Sequence, residues 1–365
     1  MDFLKHIISL ISLSLLLTGC YKDFEPDIEQ KPALCMNSLI TAGEPIRVNL
    51  TRTWRFSSGN PGRNMDISVK DATIELYVND ILRGTLDIVT SPDDRDKEDE
   101  ETMGQYYQSD YRPAPGDRIR LRAVHHEYGE ATASTEVPLA VPLTGLEPNI
   151  AINNYIGSSY ANFYDIALSF KARFTDPADR INYYAVEVDC HNPEPVESDI
   201  IVNVFPDGQA PVKYAGTLQY FMLDYDAEPI FSEHLSTLDH IFDSDSWGFS
   251  IFSDKQINGG DYSLTLNLSD AQYIILNPEH IDSLYHSTVT VTLSSISSDY
   301  YDYIISLWEH DSGVHGQLGN AGFADPVFLH SNVSTGAGIV AARTKAVMVY
   351  DLTDWARALP HQGLN

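Results

Sequence analysis

The stretch "EHDSGVHG" near the C-terminus carries side chains that could bind a metal ion, namely Glu309, His310, Asp311 and His315. Zinc requires a compact set of nitrogen, sulfur or oxygen ligands fixed on regular elements. These four residues instead follow the end of a predicted helix, where polar side chains are common. We therefore predict no metal site in this stretch.

Two acidic stretches share only part of the pattern of a calcium-binding loop. In "DSDSWG", residues 243–248, Trp247 occupies a ligand position, and Asp254 closes the loop where a bidentate glutamate is usual. "SPDDRDKEDEE", Ser91–Glu101, is too charged to pack, and nothing in it fixes a cage of ligands. We predict a turn for the first and an exposed loop for the second, with calcium binding by the acidic loop as the open alternative.

Enzymatic motifs have little support in this chain. "GAGIVA", Gly336–Ala341, has the glycine spacing of a dinucleotide-binding loop, but the strand-like "AARTKAVMVY" follows it where a helix is required. The glycines are better suited to a tight turn or a bulge. No G-x-S-x-G sequence is present. We predict a protein that is not an enzyme and needs no cofactor, while a triad assembled from distant residues is the alternative left open.

The N-terminal cysteine has neighbours that suit covalent lipidation. Residues 1–19 carry Lys5, then an apolar stretch, then small residues, which is the layout of an export signal. The apolar run is shorter than the roughly 20 residues that span a bilayer. "LTGC", ending at Cys20, matches the lipobox in which the cysteine thiol is acylated. We predict a lipid anchor at Cys20, with an ordinary signal peptide as the alternative.

The residues after Cys20 predict a flexible tether and a sorting signal. Residues 20–31 are charged and contain Pro26, as expected for a short spacer. Lys22, Asp23 and Glu25 resemble the lysine-and-acid signal that directs some bacterial lipoproteins to the outer face of the outer membrane. We therefore expect an outer-membrane protein that faces the cell surface, the alternative being that these residues form a solvated linker.

The overall charge excludes one large class of partners. The chain has 23 Lys and Arg residues against 52 Asp and Glu residues, a formal net charge of −29. Such a surface repels phosphate backbones and anionic lipid, so nucleic acid is not the expected partner. Apart from Cys20, the only cysteines are Cys35 and Cys190, which we expect to be buried, reduced thiols.

Alternating apolar and polar residues predict a mainly β fold. Between residues 32 and 142, "PIRVNLTRTW", "DATIELYVND" and "DRIRLRAVHH" have the period of half-buried strands, "ALCMNSLI" is typical of a core strand and "EATASTEVP" of a closing edge strand. Ala114–Asp117, "APGD", predicts a turn. About seven strands without a helical period indicate an immunoglobulin-like β-sandwich over residues 32–142.

The remainder, residues 143–365, is predicted to be a second β-rich domain with at least one packed helix. Its strand candidates include "DIALSFKARF", "INYYAVEVDC", "DYSLTLNLS" and "STVTVTLSSIS". Near residues 298–310, Tyr300, Ile304, Leu307 and Trp308 recur at helical spacing, with Ser298 in the N-cap position. This pattern predicts a helix packed on a sheet.

Two loops have the composition of recognition surfaces. The first, residues 54–64, combines Trp54, Arg55 and Phe56 with Gly, Ser and Asn. The second, residues 153–164, mixes Asn, Ser and Gly with tyrosines that include Tyr155 and Tyr160. Such mixtures suit adaptable binding surfaces. The alternative is that each loop is a hairpin tip whose aromatic rings fold back on the core.

Several stretches occur in an order that resembles a known family. They are the lipobox with "CYKDFEPD", then "KPALCMNSLITAGEPIRVNLTRT", "VKDATIELYVND", "APGDRIRLRA", "RFTDPADRINYYAVEV", "FSDKQINGGDYSLTL", the tyrosine-rich helix and "DPVFLHSNVSTGAGIVAA". Together they resemble the Bacteroidota lipoproteins of the domain-of-unknown-function 4249 family. The resemblance implies a surface or outer-membrane lipoprotein, often encoded beside a TonB-dependent receptor, and it brings no catalytic residues.

These observations lead to one expected function and two alternatives. We expect a non-enzymatic outer-membrane lipoprotein that is accessory to a TonB-dependent uptake system and binds its ligand or the receptor. An adhesion or envelope-structural module is the second hypothesis. An envelope hydrolase is the third, and it would require a cleft with convergent acids or a nucleophile beside a base.

Overall fold

The fold is known from a computed structural model. It describes residues 31–53, 66–90, 105–158, 161–194, 196–203, 209–220, 222–235 and 250–359. The described residues from Ala33 onward belong to one structural unit. The described chain consists mainly of strands in several sheets with few helices, so the predicted mainly β fold class is confirmed.

The described residues of the N-terminal part form eight strands: β1 (Leu34–Thr41), β2 (Ile46–Arg52), β3 (Thr73–Val78), β4 (Ile81–Thr85), β5 (Asp87–Thr90), β6 (Gln105–Ser109), β7 (Arg118–His125) and β8 (Gly129–Glu136). Strands β4, β3, β7 and β8 form one sheet in that order, and β1, β2, β6 and β5 lie side by side in another. Buried side chains of both sheets share a core, as in a β-sandwich.

The alternation of the sequence determines which face of each strand is buried. In β7, Ile119, Leu121 and Ala123 are buried, while the residues between them are only partly covered. Arg122 lies on the outer face, where its guanidinium pairs with Glu75 and Glu130. Strand β8 lies at the end of its sheet, as predicted for a closing strand.

The C-terminal part contains β9 (Leu143–Gly157), β10 (Ala161–Thr175), β11 (Tyr183–His191), β12 (Val196–Asn203), β13 (Gln209–Gln219), β14 (Met222–Asp224), β15 (Ile251–Ser253), β16 (Asp261–Ser269), β17 (Gln272–Leu276), β18 (Thr288–Ile296) and β19 (Val340–Asp351). One sheet has the order β12, β13, β17, β10, β16, β14, with β9 paired to β10. Strands β15, β11, β18 and β19 belong to a second sheet, and the two sheets share a large core.

The last strand joins the two parts of the chain. Strand β19 pairs with β18 in antiparallel fashion and with β1 in parallel fashion, with Ser38 opposite Val340, so one eight-stranded sheet contains strands from both parts. Before β19, Gly338 has φ +103°, and a Cβ there would lie 2.3 Å from the carbonyl oxygen of Met36. The glycines of "GAGIVA" thus allow close approach to β1. The two-domain division stays a prediction.

Three α-helices are described: α1 (Ser298–Asp311), α2 (Val314–Asn320) and α3 (Thr353–Arg357). Short 3₁₀ turns span Pro229–Ser232, Asp254–Gln256 and Pro278–Ser283. The predicted helix near residues 298–310 is confirmed as α1, which buries Tyr301 and Trp308. The N-cap assignment was wrong by one residue, because Ser297 occupies that position and Ser298 already has helical geometry.

The two described cysteines are free thiols, as predicted, but each is half-buried rather than buried. Burial raises the pKa of the Cys190 thiol to about 11. Among the described residues, no helix combines the length and the apolar character needed to cross a membrane.

Candidate functional site

Neighbouring long strands of the C-terminal part are interrupted at the same level. Strand β9 has a bulge there, because Asn154 pairs with Asp165 whereas Ile152 pairs with Ile166. Alongside, β16 ends at Ser269 and β17 begins at Gln272. The next strand is divided in the same way, with β13 ending at Gln219 and β14 beginning at Met222. Bulges bend strands and leave backbone unpaired, so aligned interruptions open a gap across the sheet.

We call this gap the notch. It has a volume of about 710 Å³ and is lined by Asn153, Asp165, Ile166, Gln219, Tyr220, Asp270, Ala271 and Gln272. Asp270 adopts a left-handed conformation with φ 51°, and the amide N–H of Ile166 donates to the carbonyl of Ala271 at 3.0 Å. The backbone itself therefore shapes the notch.

Hydrogen bonds fix several of the polar groups that line the notch. The two carboxylate oxygens of Asp165 accept from Gln272 Nε2 at 2.9 Å and from Asn154 Nδ2 at 3.3 Å. The Tyr220 hydroxyl donates to the carbonyl of Val188 at 2.6 Å, and burial raises the pKa of that hydroxyl. The lining residues that the structure describes include two carboxylates and no Lys or Arg, so the notch favours ligands that donate hydrogen bonds and carry no negative charge.

The hairpin of β9 and β10 extends beside the notch and contains the predicted Tyr155. Its ring lies 5.0 Å from the ring of Tyr164, and its hydroxyl donates to Asn162 Oδ1 at 3.2 Å. The apolar side chains that reach solvent here are Ile152 and Ile156 instead. Tyr155 therefore folds back toward the core, and its role in binding stays a prediction.

A second polar cluster, which we call the clamp, is buried. Asp176 accepts hydrogen bonds from the Tyr184 hydroxyl at 2.5 Å, from Asn182 Nδ2 at 3.2 Å and from the amide N–H of Gly259 at 2.9 Å. Asp254 accepts from the amide N–H of Asn182 at 2.7 Å. The clamp thus joins "RFTDPADRINYYAVEV" to "FSDKQINGGDYSLTL", and Asp254 contributes to this contact.

Two more carboxylates each accept hydrogen bonds from one tyrosine hydroxyl and one backbone N–H, as Asp176 does. Glu228 accepts from the Tyr262 hydroxyl and from the amide of Thr265. Glu233 accepts from the Tyr301 hydroxyl and from the amide of Ser253. Burial, together with the neighbouring carboxylates, raises the pKa of Tyr184, Tyr262 and Tyr301. With these partners engaged, the acids contribute to folding rather than to a reaction.

Asp71, His125 and His126 bring metal-ligand atoms within 4.8 Å of one another. The imidazole of His125, however, has both nitrogens engaged. Nδ1 accepts the amide N–H groups of Glu127 and Tyr128, each at 3.2 Å, so Nε2 carries the proton and donates to Asp71 Oδ1 at 2.9 Å. A metal ion bound to Nε2 would require the proton to move to Nδ1. There it would face the two amide N–H groups whose hydrogen bonds Nδ1 now accepts. His125 therefore caps a turn.

Asp299, His330 and Ser306 have the residue types of a catalytic triad but not its connections. His330 Nε2 pairs with Asp299 Oδ1 at 3.0 Å, yet Ser306 Oγ accepts the main-chain N–H of His330 and donates to the carbonyl of Tyr303. A triad requires the imidazole itself to contact the hydroxyl. The expectation that the polar residues of "EHDSGVHG" follow the helix end was wrong, because Glu309, His310 and Asp311 lie at the end of α1 itself and His315 lies in α2. His310 pairs with its neighbour Asp311 at 2.5 Å.

The family comparison covers most of the chain, including the strands around the notch and both segments of the clamp. A family described as domain of unknown function (DUF4249) matches residues 21–347. The chain belongs to this family. No curated protein matches the chain.

Most of the residues predicted for sites in this DUF4249 protein lie outside the described residues. They are Cys20, Lys22, Asp23, Glu25, Trp54, Arg55, Phe56 and Tyr160, and their roles stay predictions. The acidic stretch 91–101 and residues 243–248 are also outside the described part.

Sequence reasoning on this DUF4249 protein missed the notch. Its lining residues are scattered from Asn153 to Gln272, and only the strand register brings them together. Asp165 begins the alternating run "DIALSFKARF" and Asp270 follows the run "DYSLTLNLS", and these positions are the one signal that could have indicated an interruption.

Proposed function

We propose that this DUF4249 protein is a non-catalytic, lipid-anchored binding protein of the outer membrane that serves a TonB-dependent uptake system. The lipobox ending at Cys20 and the following Lys22, Asp23 and Glu25 support the location. Several acyl chains, each contributing about 0.8 kcal/mol per buried methylene, would keep the protein at the membrane without a spanning segment.

The single observation that carries the binding role is the notch. Its volume of about 710 Å³ falls in the usual range for small-molecule sites. Its amides and carboxylates present more acceptors than donors, and the two acids repel anions. The matching ligand is a molecule that is rich in hydroxyl or N–H groups and carries no negative charge.

The lining of the notch also supports a non-catalytic role. Both oxygens of Asp165 already accept hydrogen bonds from amides, so this carboxylate is poorly placed to act as a base. The other acid, Asp270, is exposed, and within the described part of the chain the lining includes no histidine, cysteine, serine or lysine. Binding without chemistry is the role that this set of side chains can perform.

Co-purification tests the accessory role. A tagged full-length protein, isolated from detergent-solubilised outer membranes, should bring a TonB-dependent barrel with it. The Cys20→Ser variant should lose both membrane attachment and the barrel. Recovery of the lipoprotein alone would contradict the proposal.

The notch is tested by removing its acids. In cells, Asp165→Ala combined with Asp270→Ala should reduce growth on the nutrient that the receptor imports. The matched control replaces two exposed aspartates outside the notch, Asp87 and Asp110, by alanine. Equal growth of both double variants would contradict a ligand site in the notch.

The tip of the β9–β10 hairpin favours an adhesion module as a second candidate. Residues 149–164 contain no charged side chain, and Ile152 and Ile156 are exposed. Uncharged, apolar edges suit contact with other surfaces. A deletion strain that attaches poorly but grows normally on every nutrient would support this candidate over uptake.

A further inference from the structure

The segment after α2 exposes an apolar surface. Phe323 and Phe328 are 82% and 81% exposed, and Leu318 and Leu329 are exposed beside them in the sequence. We call residues 318–329, which begin in the last turn of α2, the Phe loop. Single exposed apolar residues are common, but two almost fully exposed phenylalanines within six positions are not what folding alone would select.

The backbone holds the start of the Phe loop in place. At the end of α2, the amide N–H of Phe323 donates to the carbonyl of Leu318 at 2.8 Å, and that of Gly322 donates to Gly319 at 3.0 Å. Gly322 has φ +78°, the left-handed geometry that completes a Schellman motif. Phe323 is therefore displayed on a fixed helix end.

The far end of the loop is also fixed, on α1. The main-chain N–H of His330 donates to Ser306 Oγ at 2.8 Å, and its imidazole pairs with Asp299 in the first turn of that helix. Both ends of the loop are thus anchored by hydrogen bonds. Less ordering is needed on binding when the contact residues are already positioned.

The charges around the loop indicate what can cover it. Residues 309–342 contain Glu309, Asp311 and Asp325 but no Lys or Arg. Membrane-surface segments usually combine apolar residues with Lys and Arg, so this composition disfavours an anionic lipid surface. A second copy of the chain would add another net charge of −29. The complementary surface is apolar in the centre and basic at its rim.

We propose that the Phe loop docks into an apolar pocket of another protein whose rim carries Lys or Arg. Phe323 and Phe328 are the anchors of this interface, and Asp325, exposed between them, contacts the basic rim. Buried aromatic anchors commonly supply most of the binding energy of such interfaces. The proposal is independent of the notch, which binds a small ligand.

Photocrosslinking in cells tests it with the full-length chain. A Leu318→p-benzoylphenylalanine substitution places the probe at the edge of the Phe loop. Ultraviolet light should yield one adduct with a protein, and its crosslinked peptide should contain apolar residues with Lys or Arg nearby. Adding Phe323→Ala and Phe328→Ala should lower the yield about tenfold or more. Asp325→Lys should lower it about fivefold.

The matched control keeps the probe and instead adds Ile81→Ala and Leu82→Ala, which remove two exposed apolar side chains from β4. This control should give the unchanged adduct yield. An adduct with lipid or with a second copy, an acidic crosslinked peptide, no adduct, or equal loss in the control would each overturn the proposal. If the adduct yield stays unchanged in the Phe323→Ala, Phe328→Ala variant while a TonB-dependent barrel still co-purifies with that variant, only the docking site is refuted and the proposed function stands.

Discussion

The clamp and the Phe loop distribute polar and apolar groups in opposite ways. In the clamp, carboxylates are buried, with Asp176 2% exposed and Asp254 1% exposed, whereas in the Phe loop phenylalanines are exposed to solvent. The buried acids have hydrogen-bond partners within the chain. The clamp is explained by folding, while the Phe loop and the notch present groups that an outside partner can use.

This contrast separates residues that stabilise the fold from residues that are available to a partner. Buried polar groups are stable when their hydrogen bonds are satisfied internally, so their loss should reduce stability. Exposed apolar groups add little to stability, so their loss should reduce binding. Mutations in the clamp should therefore change stability, and mutations in the Phe loop should change binding.

The largest expected effect is on the clamp. Asp176→Ala leaves the Tyr184 hydroxyl and the amide N–H of Gly259 without their acceptor, which should lower the free energy of unfolding by about 3 kcal/mol. Urea denaturation followed by fluorescence measures it. The control Asp179→Ala, at an exposed ion pair with Arg180, should cost about 0.5 kcal/mol or less. An equal loss of unfolding free energy in the two variants would show that the buried Asp176 stabilises the fold no more than an exposed aspartate does.

Removing only the hydroxyl from the clamp should have a smaller effect. Tyr184→Phe keeps the ring in the core but deprives Asp176 of one donor, so we expect a loss of about 1–2 kcal/mol. Tyr155→Phe is the matched control, because its hydroxyl makes a longer bond in a less buried position. If both variants lost the same stability, the hydrogen bond to the buried acid would not be the cause.

Alkaline pH should reduce the stability that the clamp contributes to the fold. Burial and then the Asp176 hydrogen bond raise the pKa of Tyr184 above its ordinary 10.0. The neutral tyrosine therefore contributes stability that is fully present below pH 10 and is lost as the pH rises beyond it. Denaturation midpoints measured from pH 8 to 11 should fall above pH 10, and less steeply for Tyr184→Phe. Identical slopes for the two proteins would contradict this assignment.

The smallest stability effect is expected for the Phe loop. Phe323→Ala combined with Phe328→Ala should change the free energy of unfolding by about 0.5 kcal/mol or less, since both rings lie in solvent. The same denaturation assay measures it. A loss of several kcal/mol would mean that the rings pack in the folded protein and are not free for a partner.

The period of the sequence predicted much of the local structure. Alternation in "DRIRLRAVHH" and "DATIELYVND" gave β7 and β3, and the spacing of Ile304 and Trp308 gave α1. These signals work because the side-chain direction of a strand or helix repeats along the chain. Boundaries were less certain, as the N-cap shows, since neighbouring serines at 297 and 298 compete for the same position.

The sequence did not predict the pairing of strands that lie far apart along the chain. Nothing local in "ALCMNSLI" indicates that β1 lies beside β19, about 300 residues later, because parallel pairing leaves no turn signal. The notch depends on interruptions of separate strands falling in register, which only the folded sheet reveals. The Phe loop had a local signal, since "NAGF" after α2 suits a helix end with glycine and an apolar residue.

The most direct measurement is the identity of the protein crosslinked to position 318 in living cells. We predict an adduct with one other protein, joined through a peptide with apolar and basic residues, and loss of that adduct when Phe323 and Phe328 become alanine. An adduct that persists in that double variant, or one formed only with lipid or with a second copy of the chain, would contradict it.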